Sequence, residues 1–111
     1  MNPEVIRAHP GPEEPPLHFR EGEEVLVSEA SPIWPGWVRC TGLSGREAWV
    51  PERWMKIRGN TGILLRDYDS TELKVSPGDR LILLERESGW ALCKTDSGEK
   101  GWVPEDIFQP Q

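Results

Sequence analysis

The stretch that decides the fold reads GWVRC at residues 36–40 and occurs again, as GWALC, at residues 89–93. Twelve residues after the Trp of each copy comes the same tetrad, WVPE, at residues 49–52 and 102–105. Matches that keep one spacing indicate an internal duplication. The duplication outweighs the single domain that a length of 111 residues would suggest by itself.

The duplication extends upstream of these blocks. REGE at residues 20–23 corresponds to SPGD at 76–79, and VIRAH at 5–9 corresponds to LLRDY at 64–68. The order of the matches is the same in both halves, and the differences in length are confined to two loops. Each half therefore contains a complete copy of the repeated unit.

We predict an all-β fold with two tandem domains, residues 1–58 and 59–111, joined by the short segment RGNTG. Each half has five short segments of strand-like composition, bounded by Gly, Pro, Ser or Asp. They are 5–8, 17–19, 24–29, 36–40 and 48–50 in the first half, and 63–66, 73–75, 80–85, 90–94 and 101–103 in the second. Neither half has an apolar stripe of helical period, so we expect little helix.

These motifs resemble the SH3 family, twice and over nearly the whole chain. LLRDY at 64–68 is similar to the ALYDY of the family, TELKVSPGD at 71–79 to its diverging turn, and SGWALC at 88–93 to its Trp-bearing strand. GEKGWVPEDIF at 98–108 resembles the closing segment. The first half has VIRAH, LHFREGEE, PGWVRC and GREAWVPERWM in the same places. The resemblance implies two five-stranded, strongly curved small barrels.

Each implied barrel has its own small core. The expected core residues are Val5, Leu17, Phe19, Val25, Val27, Cys40, Val50 and Met55 in the first barrel, and Leu64, Leu73, Val75, Leu81, Leu83, Cys93, Val103 and Phe108 in the second. The two cysteines occupy equivalent positions, so we expect buried, unreactive thiols that are too far apart to form a bridge.

The resemblance also implies a shallow aromatic groove in each barrel, where proline-rich peptides bind in extended form and loop acids pair with a basic residue. The expected groove residues are Trp37, Trp49, Pro51 and Trp54 with Glu13 and Glu14 in the first half, and Tyr68, Trp90, Trp102 and Pro104 with Glu72 in the second. Arg7 and Arg66 stand where the family has its first groove tyrosine, and His9 replaces the second tyrosine of the first half. We favour the first groove, because the loop DSTE at 69–72 in the second half is shorter than the family norm.

A purely structural role suits the same residues. The tryptophans can cover the barrels or pack between them, and the loop acids Glu13 and Glu14 can form a solvated surface. Both interpretations stay open at the level of sequence.

Charge and composition exclude several classes of function. The formal net charge is −6, from 13 basic and 19 acidic side chains, whereas nucleic-acid binding needs clustered Lys and Arg. There is no apolar run long enough to span a bilayer, and the first residues lack the pattern of a signal peptide. No motif for a metal, a cofactor or a catalytic nucleophile is present. We predict a cytoplasmic protein that is not an enzyme, has no cofactor, and binds neither nucleic acid nor membrane.

The sequence thus favours a non-enzymatic adaptor module whose Trp-lined grooves bind a proline-rich or basic peptide of a protein partner. One alternative is a structural module that forms a homo-oligomer and buries its grooves between barrels or subunits. Another is a binder of cell-wall peptides, like the SH3-like domains of bacteria.

Overall fold

The computed structural model describes residues 4–12 and 15–108 and has an all-β fold, as expected. Apart from two single-turn 3-10 helices, Glu52–Trp54 and Glu105–Ile107, the regular elements in these residues are strands. The strands are β1 His18–Phe19, β2 Glu24–Ala30, β3 Trp37–Thr41, β4 Glu47–Pro51, β5 Met55–Arg58, β6 Thr61–Leu64, β7 Tyr68–Asp69, β8 Ile82–Glu87, β9 Trp90–Lys94 and β10 Lys100–Pro104. The short strands and curved sheets are consistent with SH3-like small barrels.

The contacts divide the chain into two compact units, but not at Arg58. One unit is continuous in sequence, Pro16–Ser70, and we call it the contiguous unit. The other combines Met1–Pro15 with Thr71–Gln111, and we call it the split unit. The division differs from domains 1–58 and 59–111 because two segments equivalent in the repeat, residues 5–9 and 64–68, each lie in the other unit.

A tight hairpin explains why residues after Arg58 stay in the contiguous unit. β5 and β6 pair antiparallel through four residue pairs, from Met55↔Leu64 to Arg58↔Thr61, so that only Gly59 and Asn60 lie between them. Gly59 has φ +59°, and glycine at the first central position is typical of a type II′ hairpin turn. The segment RGNTG is therefore a turn within one sheet and not a linker between two domains.

β6 then fills the place that the repeat assigns to residues 5–8. It pairs on its other side with β2, with Val25 opposite Gly62, in a five-stranded sheet of order β4-β3-β2-β6-β5. A Cβ atom at Gly62 would lie 3.0 Å from both Met55 Sδ and a methyl of Val27, so the glycine lets these side chains close over the strand. Farther along, Phe19 pairs with Tyr68 in the β1–β7 ladder.

The split unit takes the leading residues instead. Its main sheet has the order β10-β9-β8, and Val5 pairs with Phe108 in an isolated antiparallel bridge. The amide of Val5 donates to Asp79 O at 2.9 Å, and the amide of Gly78 donates to Val5 O at 2.8 Å. Four residues on, His9 and Val75 exchange two hydrogen bonds of 3.0 Å.

Both cores contain most of the residues that the sequence assigned to cores, but two have changed places. Val5 lies in the core of the split unit, with Leu73, Val75, Leu81, Ala91, Cys93, Val103 and Ile107. Leu64 is opposite Met55 in the contiguous unit and is 1% exposed. Assigning Val5 to the first core and Leu64 to the second was wrong, since the strands that carry them pair with the other units. Leu17 and Val27 are only half-buried.

Both thiols are buried and unbridged, as expected. Burial raises the pKa of Cys40 from 9.0 to about 11. Burial also raises the pKa of Cys93 from 9.0 to about 12, against an opposing effect of the Arg86 charge. Neither thiol is therefore poised as a nucleophile near neutral pH.

These pKa values make stability depend on alkaline pH. Because the folded pKa lies above the unfolded value, the stabilisation is fully present below pH 9 and is lost as pH rises towards the folded pKa values. We expect the free energy of unfolding to fall by about 1.4 kcal/mol per pH unit for each thiol above about pH 9. Urea unfolding at several pH values measures this slope, and a double variant with Cys40→Ala and Cys93→Ala should remove it. An equal slope in that variant would contradict the assignment.

Candidate peptide-binding groove

Trp90 and Pro104 lie side by side in the split unit, opposite each other in the β9–β10 ladder. Ser88 and Gly89, just before Trp90, have φ of 37° and 95°, and positive φ at both central residues is required by a type I′ hairpin. This turn joins β8 to β9 and pairs Trp90 with Glu87. The amide of Glu105 donates to Gly89 O at 2.8 Å, which ties the second 3-10 helix to the same turn. Trp90 and Pro104 are both half-buried.

His9 and Glu72 complete this surface. His9 Nε2 lies 2.8 Å from Glu72 Oε1, and the His9 ring meets Trp90 edge-on with centroids 6.1 Å apart. The side chains of His9 and Glu72 retain 18% and 26% of their exposure. We call Trp90, Pro104, His9 and Glu72 the split-unit groove. The groove combines the half-buried indole of Trp90 with the carboxylate of Glu72, which contacts His9.

Trp102, two residues before Pro104 in β10, is almost fully buried. Its side chain is 2% exposed. Its amide donates to Thr71 O at 2.8 Å, and its carbonyl accepts from the amide of Leu73 at 3.1 Å. Trp102 therefore offers little surface to a ligand, and its burial favours the structural role over ligand contact. Glu72 is held next to it through a parallel bridge to Trp102.

Tyr68 belongs to the contiguous unit, whereas the sequence grouped it with Trp90 and Trp102 of the split unit. Its ring meets the Trp54 ring edge-on in the contiguous unit, with centroids 5.6 Å apart. Its hydroxyl donates to Trp49 O at 2.7 Å. The cause is the β5–β6 hairpin, which keeps the segment after Leu64 in the contiguous unit. Sequence reasoning missed His9 as a neighbour of Trp90 for the same reason.

Three of the aromatic residues that the sequence assigned to grooves are almost fully buried in the contiguous unit. Trp37 and Trp54 are each 5% exposed and Tyr68 is 3% exposed. The guanidinium of Arg66 lies over the Trp54 ring, 3.7 Å from its centroid, in a cation–π geometry. Pro51, opposite Trp37 in the β3–β4 ladder, is buried as well. The groove that the sequence favoured thus offers little aromatic surface.

Trp49 is the member of this group that stays half-buried. Arg39 lies over its ring at 5.1 Å. The same guanidinium makes ion pairs of 3.3 Å with Glu29 and 3.2 Å with Glu47. Trp49 therefore lies under a cation that two acids hold in place. Glu13 and Glu14, the expected acids of this groove, lie outside the described residues.

Residues 67–105 match the family model of the SH3 domain. The matched stretch crosses from the contiguous unit, which ends at Ser70, into the split unit. Comparisons with curated proteins and with solved structures gave no significant match. The family match points to a protein-interaction module, and SH3 domains in general are not catalytic.

Residues 4–12 and 15–108 contain no group of three or more His, Cys, Asp or Glu side chains placed to hold a metal ion. They also contain no helix that is long and apolar enough to cross a membrane.

The stacking of Arg66 on Trp54 gives a direct test of the covered groove. We expect Arg66→Ala to expose the Trp54 indole, because the guanidinium is the cation that lies over its ring. The indole N–H of Trp54 should then exchange faster with solvent and shift in a nitrogen–proton NMR spectrum. Arg58→Ala removes the same charge from an exposed position of the same unit and serves as the control. An unchanged Trp54 signal in Arg66→Ala would contradict the covering role.

Proposed function

We propose that this protein is a non-enzymatic peptide-binding module and that the split-unit groove is its docking site. The observation that carries the proposal is that His9 contacts both Glu72 and the half-buried Trp90, while Pro104 is paired with Trp90 across the β9–β10 ladder. An extended peptide that carries proline and a basic residue fits this chemistry. The proline ring packs on the indole face, and the basic side chain pairs with the carboxylate.

The His9–Glu72 contact leaves room for such a partner. A carboxylate accepts several hydrogen bonds through its two oxygens, and His9 Nε2 contacts Oε1. A ligand Arg or Lys can therefore bind Glu72 while His9 fixes the orientation of the carboxylate. The formal net charge of −6 also favours a basic partner over an acidic one.

A structural role is the second candidate, and it concerns the contiguous unit. The low exposure of Trp37, Trp54 and Tyr68 favours it, since buried rings add stability but no docking surface. The two candidates combine in one proposal. The tandem protein is an adaptor whose split unit carries the one open groove and whose contiguous unit supports the fold, and it acts in the cytoplasm on a protein partner.

Titration with a proline-rich peptide that carries an Arg tests the docking site. We expect Trp90→Ala to weaken binding by about 30-fold or more, as for an aromatic anchor at the centre of an interface. We expect Glu72→Gln to weaken binding by about tenfold, because it removes the charge that the Arg pairs with. Isothermal titration calorimetry measures both effects.

Trp49→Ala is the matched control. It removes a half-buried tryptophan from the contiguous unit and should leave the affinity within about twofold, since independent sites do not couple. If Trp49→Ala weakens binding while Trp90→Ala does not, the docking site is in the other unit and the proposal fails.

A further inference from the structure

The leading segment, residues 4–9, is held in the split unit by isolated β-bridges and backbone hydrogen bonds on both of its sides. On one side Val5 exchanges hydrogen bonds with Asp79 and Gly78, at 2.9 and 2.8 Å. On the other side the amide of Ile6 donates to Ile107 O at 2.6 Å. The Val5 side chain is 1% exposed, in the core with Leu81 and Val103. We call the place that this segment occupies the strand cleft.

The strand cleft and the segment that fills it are distant in sequence. His9 and Glu72, which are in contact, are 63 positions apart. The chain passes through the whole contiguous unit before it returns at Thr71. The segment therefore binds the strand cleft as a tethered ligand. The fraction of clefts that it fills depends on the effective concentration that the tether provides.

The sequence that follows the segment disfavours a hairpin between the segment and the residues just after it. Residues 10–16 read PGPEEPP, with prolines at 10, 12, 15 and 16. Proline fixes φ and lacks the amide that a hairpin ladder needs, and proline-rich segments are extended. Four prolines in this connection disfavour a ladder between the segment and residues 17–19 and favour delivery of the segment to a separate acceptor.

We propose that the strand cleft is a binding site for an extended β-strand and that a second copy of this chain fills it with its own residues 4–9. The second copy carries the same Val5, with the same backbone pairing and the same pocket. The exchange replaces each contact in the split unit by an identical one, so the cost is mainly the entropy of association. The tethered segment prevails in dilute solution. The exchanged dimer forms as the chain concentration approaches the effective concentration of the tethered segment.

The first test opens the strand cleft in the full chain. Val5→Asp places a carboxylate in the core and should release the segment. The indole signals of Trp90 and Trp102 should then leave their native positions, and those of Trp37, Trp49 and Trp54 should stay. A synthetic peptide of residues 4–12 should bind this chain and restore the two signals. The same peptide with Asp at position 5 should bind roughly tenfold more weakly or worse.

Failure of the wild-type peptide to bind the Val5→Asp chain would overturn the proposal. Loss of the indole signals of Trp37, Trp49 and Trp54 in that chain, in place of those of Trp90 and Trp102, would also overturn it. Should the Val5→Asp chain precipitate, Val5→Ala loosens the segment without burying a charge. The same peptide, carrying a fluorophore, then binds that chain more tightly than it binds the wild type, as measured by anisotropy. Equal binding to both chains would contradict the proposal.

The second test uses two defective full chains that complement each other. The Val5→Asp chain has an intact cleft and no usable strand, whereas a Leu81→Asp chain has an intact strand and a damaged cleft, since Leu81 is in the core that receives Val5. Sedimentation should find each variant monomeric alone and a 1:1 heterodimer in the mixture. A mixture that stays monomeric would rule out the second copy as the occupant.

Discussion

The backbone pairing between β5 and β6 is the constraint on which the rest of the structure depends. Four residue pairs across a two-residue turn hold Thr61–Leu64 next to Met55–Arg58. A hairpin this short closes with little loss of chain entropy, so it forms more readily than a pairing between distant segments. Once β6 lies between β5 and β2, the contiguous unit has no place for residues 5–8. Those residues complete the split unit.

The same constraint makes two copies of one motif unequal. Residues 64–68 bring Arg66 and Tyr68 to Trp54, and the cluster that results is nearly closed. In the split unit the residue equivalent to Trp54 is Ile107, which is buried. Arg7, the counterpart of Arg66, is exposed and lies 3.8 Å from Asp106. His9, the counterpart of Tyr68, lies beside Trp90. The split-unit groove therefore has a histidine beside its tryptophan where the cluster of the contiguous unit has a tyrosine.

The repeat was sufficient to predict the all-β fold, the strand positions around both GW motifs and most of the two cores. These features depend on local pattern, such as apolar residues that alternate along Glu24–Ala30 and glycines in the turns. The partner of each leading strand was not predictable from the repeat, because both acceptors have similar sequences and similar cores. One local signal was present but was interpreted as a linker. Gly59-Asn60 between the apolar runs 55–57 and 63–65 is typical of a two-residue hairpin turn.

The central claim is that, within one chain, residues 4–9 pair in the split unit and β6 pairs in the contiguous unit. Cross-strand nuclear Overhauser effects test this claim most directly. The account predicts backbone effects between Val5 and Phe108 and between Met55 and Leu64, because each pair lies opposite in an antiparallel ladder. Nuclear Overhauser effects between Val5 and Met55 and between Leu64 and Phe108 would instead place each segment in its own half of the sequence. That result would contradict the account.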